Sequence, residues 1–163
     1  MNLKDAVIIG GTGFLIKKIF FKSKGALNKL ALACPIATYD LMVNTENRND
    51  AIHNDKIQYG PLNLSDQSYW VRLARHWRTT PEVAKNSNCG NCVAFDISPR
   101  MLDCIKAGPV SVEDGDQGAG KLGYCWMHHF KCHSARSCYT WAAGGPITKD
   151  KVSEKWQKKA TAV

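Results

Sequence analysis

The chain lacks an apolar run long enough to cross a bilayer, which as a helix needs about 20 residues. The first such run, Ala6 to Ile16, covers about eleven residues. Only Lys4 and Asp5 precede it, no small-residue cleavage site follows soon after, and Lys17-Lys18 stand behind it. A transmembrane segment and a secretory leader are therefore not expected, and a reducing compartment of synthesis is the default. Also missing is the rest of a dinucleotide site. Val7-Ile8-Ile9-Gly10-Gly11-Thr12-Gly13-Phe14-Leu15 starts like one, but Ile16 stands at the third small position and residues 30–38 offer no acid for a ribose. No series of βαβ units follows, so this stretch reads as a flexible glycine-containing arm. The acidic run Glu113-Asp114-Gly115-Asp116-Gln117-Gly118-Ala119-Gly120 lacks the terminal glutamate of a calcium loop and reads as an exposed loop.

Net charge is absent from the middle of the chain. Of the formal +8, residues 1–33 hold six lysines against one aspartate, and residues 149–163 hold five lysines against two acids. Residues 34–148 balance eleven bases with eleven acids. No recognition motif accompanies the basic ends, so nucleic acid is not expected as the main partner. The ends are read as an N-terminal arm and a solvated basic C-terminal tail. Within the arm, Phe14-Leu15-Ile16-Lys17-Lys18-Ile19-Phe20-Phe21-Lys22 interleaves lysines with large apolar residues, which suits packing against another protein chain.

With 163 residues, of which 44% are hydrophobic and 22% charged, the chain has the make-up of one globular domain with extensions. The expected division is an arm with connecting loops over 1–63, a helix plus cysteine-rich domain over 64–148, and the tail over 149–163. Asn44-Thr45-Glu46-Asn47-Arg48-Asn49-Asp50 shows no apolar period and reads as a loop. A turn follows at Tyr59-Gly60-Pro61. Ser65 then offers an N-cap, with Asp66 in the first turn, to a helix whose Tyr69, Trp70, Leu73, Ala74 and Trp77 share one face. His76 falls on the opposite, exposed side. Thr80-Pro81 opens a second short helix that ends near Lys85 or Asn86. Ser98-Pro99 and Gly108-Pro109 read as turns. With few strand candidates, the fold class expected is a small irregular α+β protein, loop-rich and metal-stabilised, with an extended N-terminal arm.

Six of the seven cysteines fall between Cys89 and Cys138, among bulky aromatics. Cys34 stands apart and reads as a buried or free thiol. An odd cysteine count in a chain of this length argues against a disulfide scaffold and for metal binding. Cys89-Gly90-Asn91-Cys92 aims two thiolates at one metal, which fits zinc, an iron–sulfur cluster or a redox dithiol. Cys125, Cys132 and the neighbouring His128, His129 and His133 do not close a clean second zinc knuckle. Those histidines read as surface groups or hydrogen-bond partners of the loop. The remaining cysteines are spread out among Phe95, Tyr124, Trp126, Phe130, Tyr139 and Trp141. That setting suits a [4Fe–4S] cubane, whose properties depend on hydrogen bonds to sulfur and on exclusion of water.

Cys89-x2-Cys92-x-x-Phe95, then Gly123-Tyr124-Cys125 with Phe130-Lys131 behind it, then Cys138 followed three residues on by Trp141, resemble the high-potential iron–sulfur protein family. The likeness covers about residues 66–145. It implies a cubane held by Cys89, Cys92, Cys125 and Cys138, shielded by Tyr124 and Trp141, in a protein that shuttles single electrons. The gap from Cys92 to Cys125 is longer than the family's and contains Cys104, so Cys104 and Cys125 both remain open as third ligand. In an oxidising setting Cys104 and Cys132 could pair. The chain as a whole also resembles small proteins of marine tailed bacteriophages. That resemblance implies a virion component, made in the host cytoplasm, whose arm packs against neighbouring virion proteins or copies of itself. A cluster-stabilised structural protein is thus the leading expectation, with one-electron transfer and structural zinc binding beside it. No enzyme is expected, since neither an open metal position nor a nucleophile with its base is apparent.

Overall fold

The computed structural model describes residues 34–62, 65–109 and 120–160. The chain divides into two units, residues 1–34 and residues 35–163, and the account below concerns the second. The glycine-containing arm, the apolar and basic segment behind it, and the acidic run up to Ala119 lie outside the described residues.

Three short antiparallel strands form the centre: β1 (Phe95–Asp96), β2 (Leu122–Cys125) and β3 (Phe130–His133), in the order β1-β2-β3. Phe95 pairs with Cys125, Cys125 with Phe130, and Gly123 with Cys132. Strand residues alternate between faces, so Phe95, Gly123, Cys125, Phe130 and Cys132 share one face. Asp96, Tyr124 and Lys131 share the other. Gly123 is bare because a Cβ there would lie 2.5 Å from the Phe95 ring and 2.9 Å from the Asp96 carbonyl oxygen.

Among the described residues there are six α-helices: α1 (Ile36–Tyr39), α2 (Leu41–His53), α3 (Gln67–Trp77), α4 (Pro81–Asn86), α5 (Pro99–Ala107) and α6 (Asp150–Ala160). The small irregular α+β class expected from sequence is what is found. None of the helices among the described residues is long and apolar enough to cross a membrane.

The polar stretch Asn44 to Asp50, expected as a loop, is the body of α2. Asp40 caps it, accepting from the Met42 and Val43 amides. Its inner side meets the outer edge of β3 through hydrogen bonds, while Ala51 nearer its end enters the apolar core. The Lys131 amide donates to Asn44 Oδ1 (2.8 Å), and Asn47 Nδ2 donates to the His129 carbonyl (2.7 Å). The His133 amide donates to the Tyr59 hydroxyl (3.1 Å). Two amides of an edge strand, otherwise open to a second chain, and the carbonyl just before it are closed in this way. Residues 36–62 therefore belong with the cysteine-rich part and do not form a separate arm.

Helix α3 buries Tyr69, Trp70, Leu73 and Ala74, as the period requires. Its cap is Asp66, not Ser65: the Asp66 carboxylate accepts from the Tyr69 amide and the Ser68 hydroxyl. Helix α4 starts at Pro81 under the Thr80 cap, as expected. Ser98-Pro99, expected as a turn, repeats the same pattern and opens α5, with Ser98 accepting from the Met101 amide. Met101, Cys104 and Ile105 form its buried stripe, and Gly108-Pro109 ends it. The expected solvated tail is α6. Arg100 of α5 donates to the Ser153 hydroxyl (3.1 Å) and to Gln157, and the Arg100 amide donates to Asp150 (3.0 Å). Trp156 of α6 packs on the main core.

Two apolar clusters are seen among the described residues. One gathers Tyr69, Trp70, Leu73, Ala74 and Ala84, with Trp77 and Tyr139 against it. The other gathers Ala51, Tyr59, Ala94, Phe95 and Phe130 around Cys89, Cys92, Cys132 and Cys138. Tyr69 Oη donates to the Ser137 carbonyl (2.8 Å) and Trp77 Nε1 to the Tyr139 carbonyl (3.0 Å). These bonds fix α3 to the segment that carries Cys138.

Candidate metal centre

Cys89, Gly90 and Asn91 form a single 3-10 turn after α4. The Asn88 amide donates to Asn91 Oδ1, and Asn91 Nδ2 donates to the Asn86 carbonyl, so the turn is closed by its own asparagines. The Cys89 and Gly90 amides donate to the carbonyls of Arg136 (2.7 Å) and Ser134 (2.8 Å). Trp141 Nε1 donates to the Asn88 carbonyl and to Asn91 Oδ1, both at 2.9 Å. Gly145 lies so close behind that a Cβ would fall 1.7 Å from the Cys92 carbonyl oxygen. The Cys-x2-Cys turn is therefore held from three sides.

The nearby Ala142 and Ala94 amides lower the Cys92 thiol against the effect of burial, and the His128 and Met127 amides act likewise on Cys125. At Cys138 the Thr140 hydroxyl lies 3.2 Å from the sulfur. His128 Nε2 in turn meets that hydroxyl at 2.7 Å. At Cys125 the tight reversal into β3 needs a positive φ of 53° at His129, whose amide donates to the Cys125 carbonyl (2.8 Å). Amides aimed at sulfur stabilise the anion, and such donors tune metal-bound thiolates.

Cys132 differs. It sits in mid-strand on β3, on the sheet face it shares with Cys125 and in the same buried cluster as Cys89. Burial pushes the Cys132 thiol well up from its ordinary range, with those two sulfurs adding to the effect. Burial likewise raises Cys92, and raises Cys138 to about 12. Cys125 is the exception: the hydrogen bond from Cys132 lowers it, against burial, with the His128 and Met127 amides helping.

Tyr59, which sequence reading had left in a turn, lies beside this group. Burial, then proximity to Cys132 and Cys89, holds its phenol well above the usual range. Its ring meets Phe130 edge-on at 4.9 Å, and the Arg136 guanidinium lies 5.3 Å from its centroid. A tyrosine before Gly-Pro has no period to reveal it. Phe95 and Phe130 complete the walls, with Trp141 against them. Tyr124 is buried on the opposite sheet face, edge-on to Trp126 at 4.9 Å. His76 is exposed and stacks on Tyr139 at 3.9 Å.

Cys89, Cys92, Cys125, Cys132 and Cys138 are free thiols. Cys34 and Cys104 are the two disulfide-bonded cysteines. Cys34 is therefore not a free thiol, and Cys104 is neither paired with Cys132 nor among the thiols of the core. Cys104 lies instead on the buried stripe of α5, outside the cluster that holds the others.

No family model, no curated protein and no solved structure matches this chain. The chemistry has to be judged on the donors themselves. Among the described residues, no three of His, Cys, Asp and Glu converge as ligands of a single ion. A zinc site brings its sulfurs to about 2.3 Å from one point and hence within about 4 Å of each other. A cubane takes four thiolates, each on a different iron, and spreads them round a wider cage. What the described residues offer is several soft donors in one apolar core.

Proposed function

We propose that this protein binds a [4Fe–4S] cluster through Cys89, Cys92, Cys125 and Cys138, and that the bound group braces a small loop-rich domain. The observation that carries the reading is the gathering of Cys89, Cys92 and Cys138 in one buried cluster with Cys125 packed against it. In a metal-free protein this arrangement makes the thiolates costly, because burial resists their ionisation. A cation shared by the sulfurs offsets that cost.

The chain's own residues do the rest. The asparagine-closed turn and Trp141 orient Cys89 and Cys92, the reversal at His129 presents Cys125, and Thr140 orients Cys138. Phe95, Phe130 and Tyr59 exclude water. When bound, the cluster supplies cross-links between the 3-10 turn, the β2–β3 hairpin and the Ser137–Trp141 segment. The sheet between them has strands of only two to four residues. That is a role for which a large apolar core is the usual alternative. The resemblance to marine tailed-phage proteins extends the proposal to a virion component whose N-terminal arm contacts neighbouring subunits.

Metal analysis and an absorption spectrum of anaerobically purified protein test the reading. About four irons with matching sulfide and a broad visible band are expected. One zinc and no colour would overturn it.

One observation favours a second reading, reversible one-electron transfer. Tyr139 follows Cys138 directly and stacks on the exposed His76 ring, so an aromatic pair runs from beside the thiol cluster to the surface. A reversible one-electron couple in voltammetry, weakened by His76→Ala, would support it; an electrochemically silent protein would remove it.

A further inference from the structure

We propose that the exposed apolar surface formed by Ile36, Tyr39, Leu41 and Met42 receives residues 14–22 of a second copy of this chain. The proposal deepens one part of the reading above, the arm's contact with neighbouring subunits, and does not depend on the bound group.

A large apolar side chain exposed singly needs no explanation, but a contiguous patch marks a contact. Of the eight large apolar side chains exposed among the described residues, four fall within residues 36–42. Ile36 is 57% exposed and Met42 73%. The backbone beneath them is firmly held. Ala37 and Thr38 are buried on the inner side of α1, the Thr38 amide and hydroxyl both donate to the Pro35 carbonyl (2.9 and 2.7 Å), and Asp40 caps α2. The fold thus turns its small side chains inward here and holds the large ones out. Farther along α2 the surface becomes acidic. Met42, Glu46 and Asp50 are all exposed and recur at intervals of four, so they form one stripe, apolar at its first turn and negatively charged beyond.

Residues 14–22 have the matching make-up. Phe14, Leu15, Ile16, Ile19, Phe20 and Phe21 supply apolar side chains, Lys17, Lys18 and Lys22 supply positive charge, and the segment contains no acid. Apolar groups on both sides provide the affinity. Lysines facing Glu46 and Asp50 set the register and exclude partners of the wrong sign. Both halves of the contact are present in every copy. The arm joins the described chain at Cys34, two residues before Ile36. The twelve residues from Lys22 to Cys34 reach at most about 40 Å, enough to span to the patch of an adjoining copy. Two copies can therefore exchange segments reciprocally and close as a pair.

The test uses the full chain, purified without air. A benzophenone amino acid in place of Met42 joins on irradiation to whatever covers that position. A reducing, denaturing gel should show a band of doubled mass, in which peptide mapping finds position 42 joined to residues 14–22. Joining within a single chain, to another part of the second copy, or not at all would overturn the proposal. Analytical ultracentrifugation gives a second readout. Met42→Asp, and Phe20→Asp with Phe21→Asp, should each weaken self-association by about ten-fold or more, while Val83→Asp, exposed outside the patch, should leave it unchanged. Glu46→Lys with Asp50→Lys should weaken it as well, and adding Lys17→Glu with Lys18→Glu should restore it. A monomeric wild-type chain, or patch variants that associate as the parent does, would refute the contact. Iron content of the same samples reports on the cluster separately: a monomeric chain with its iron leaves that reading standing, and a paired chain without iron removes that reading alone.

Discussion

Replacing Asn44 by leucine separates two explanations of why a polar segment is helical. Asn44 is 2% exposed and its Oδ1 accepts from the amide of Lys131, which is equally buried. Leucine has the same number of side-chain heavy atoms and higher helix propensity, so on propensity alone the change should be stabilising. On hydrogen bonding, it strands a buried strand-edge donor, at a cost of about 1–3 kcal/mol. For a unit of this size, about 2 kcal/mol lowers the thermal midpoint by roughly 6–10 °C. Asn44→Ala should cost at least as much, because it adds a small void to the same orphaned amide. Asn47→Ala, at a half-buried site with one donor to the His129 carbonyl, should cost only about 1 kcal/mol. Thermal unfolding of each variant, matched for metal content, gives the energies. Amide hydrogen exchange gives the location: protection should fall at Lys131 first. An Asn44→Leu protein as stable as the parent, with Lys131 still protected, would refute the account of α2 as a hydrogen-bonded cover for β3.

Gly123→Ala places a methyl against the Phe95 ring and the Asp96 carbonyl, and overpacking of this kind should cost about 1–3 kcal/mol in urea unfolding. Trp141→Phe removes the donor to Asn88 and Asn91, so iron release to a chelator should speed up several-fold while secondary structure is kept. An unchanged release rate would show that the turn holds itself. The metal-free protein should weaken in alkali. Burial raises Cys92 and Cys138, so the unfolded chain ionises first. Their contribution is complete below about pH 9 and is lost as pH rises through the folded values, at about 1.4 kcal/mol per pH unit for each group. A denaturant midpoint that stays level from pH 8 to 10.5 would contradict this.

What could be read from the sequence was whatever has a local cause. Thr80-Pro81 capped α4 because cap and proline act within one turn. The apolar face of α3 followed from its period. Ser98-Pro99 has the same local cause, but standing among turn residues it reads as one more turn. Asp66 displaced Ser65 as cap because a carboxylate is the stronger acceptor and reaches Ser68 as well as the Tyr69 amide. Asn44 to Asp50 could not be read as helix, since its reason for being one lies some eighty residues away on β3. The same holds at the candidate centre. The gathering of Cys89, Cys92, Cys125 and Cys138 was visible as a dense run of soft donors. The entry of Cys132 into their midst required the hairpin register, and the separation of Cys104 from them required knowing which cysteines are oxidised.

The seven cysteines end in two chemical states: Cys34 and Cys104 are disulfide-bonded, and the other five are free thiols. Before folding, nothing distinguishes them: any thiolate attacks any disulfide, and chance pairing would trap the chain in one of many wrong cross-links. Only the folded chain keeps the five together behind Tyr59, Phe95 and Phe130 and away from Cys104. Folding must therefore run ahead of oxidation during biogenesis. A preparation that is denatured, exposed to air and then refolded should yield a mixture of isomers, even though every residue of the sequence is intact.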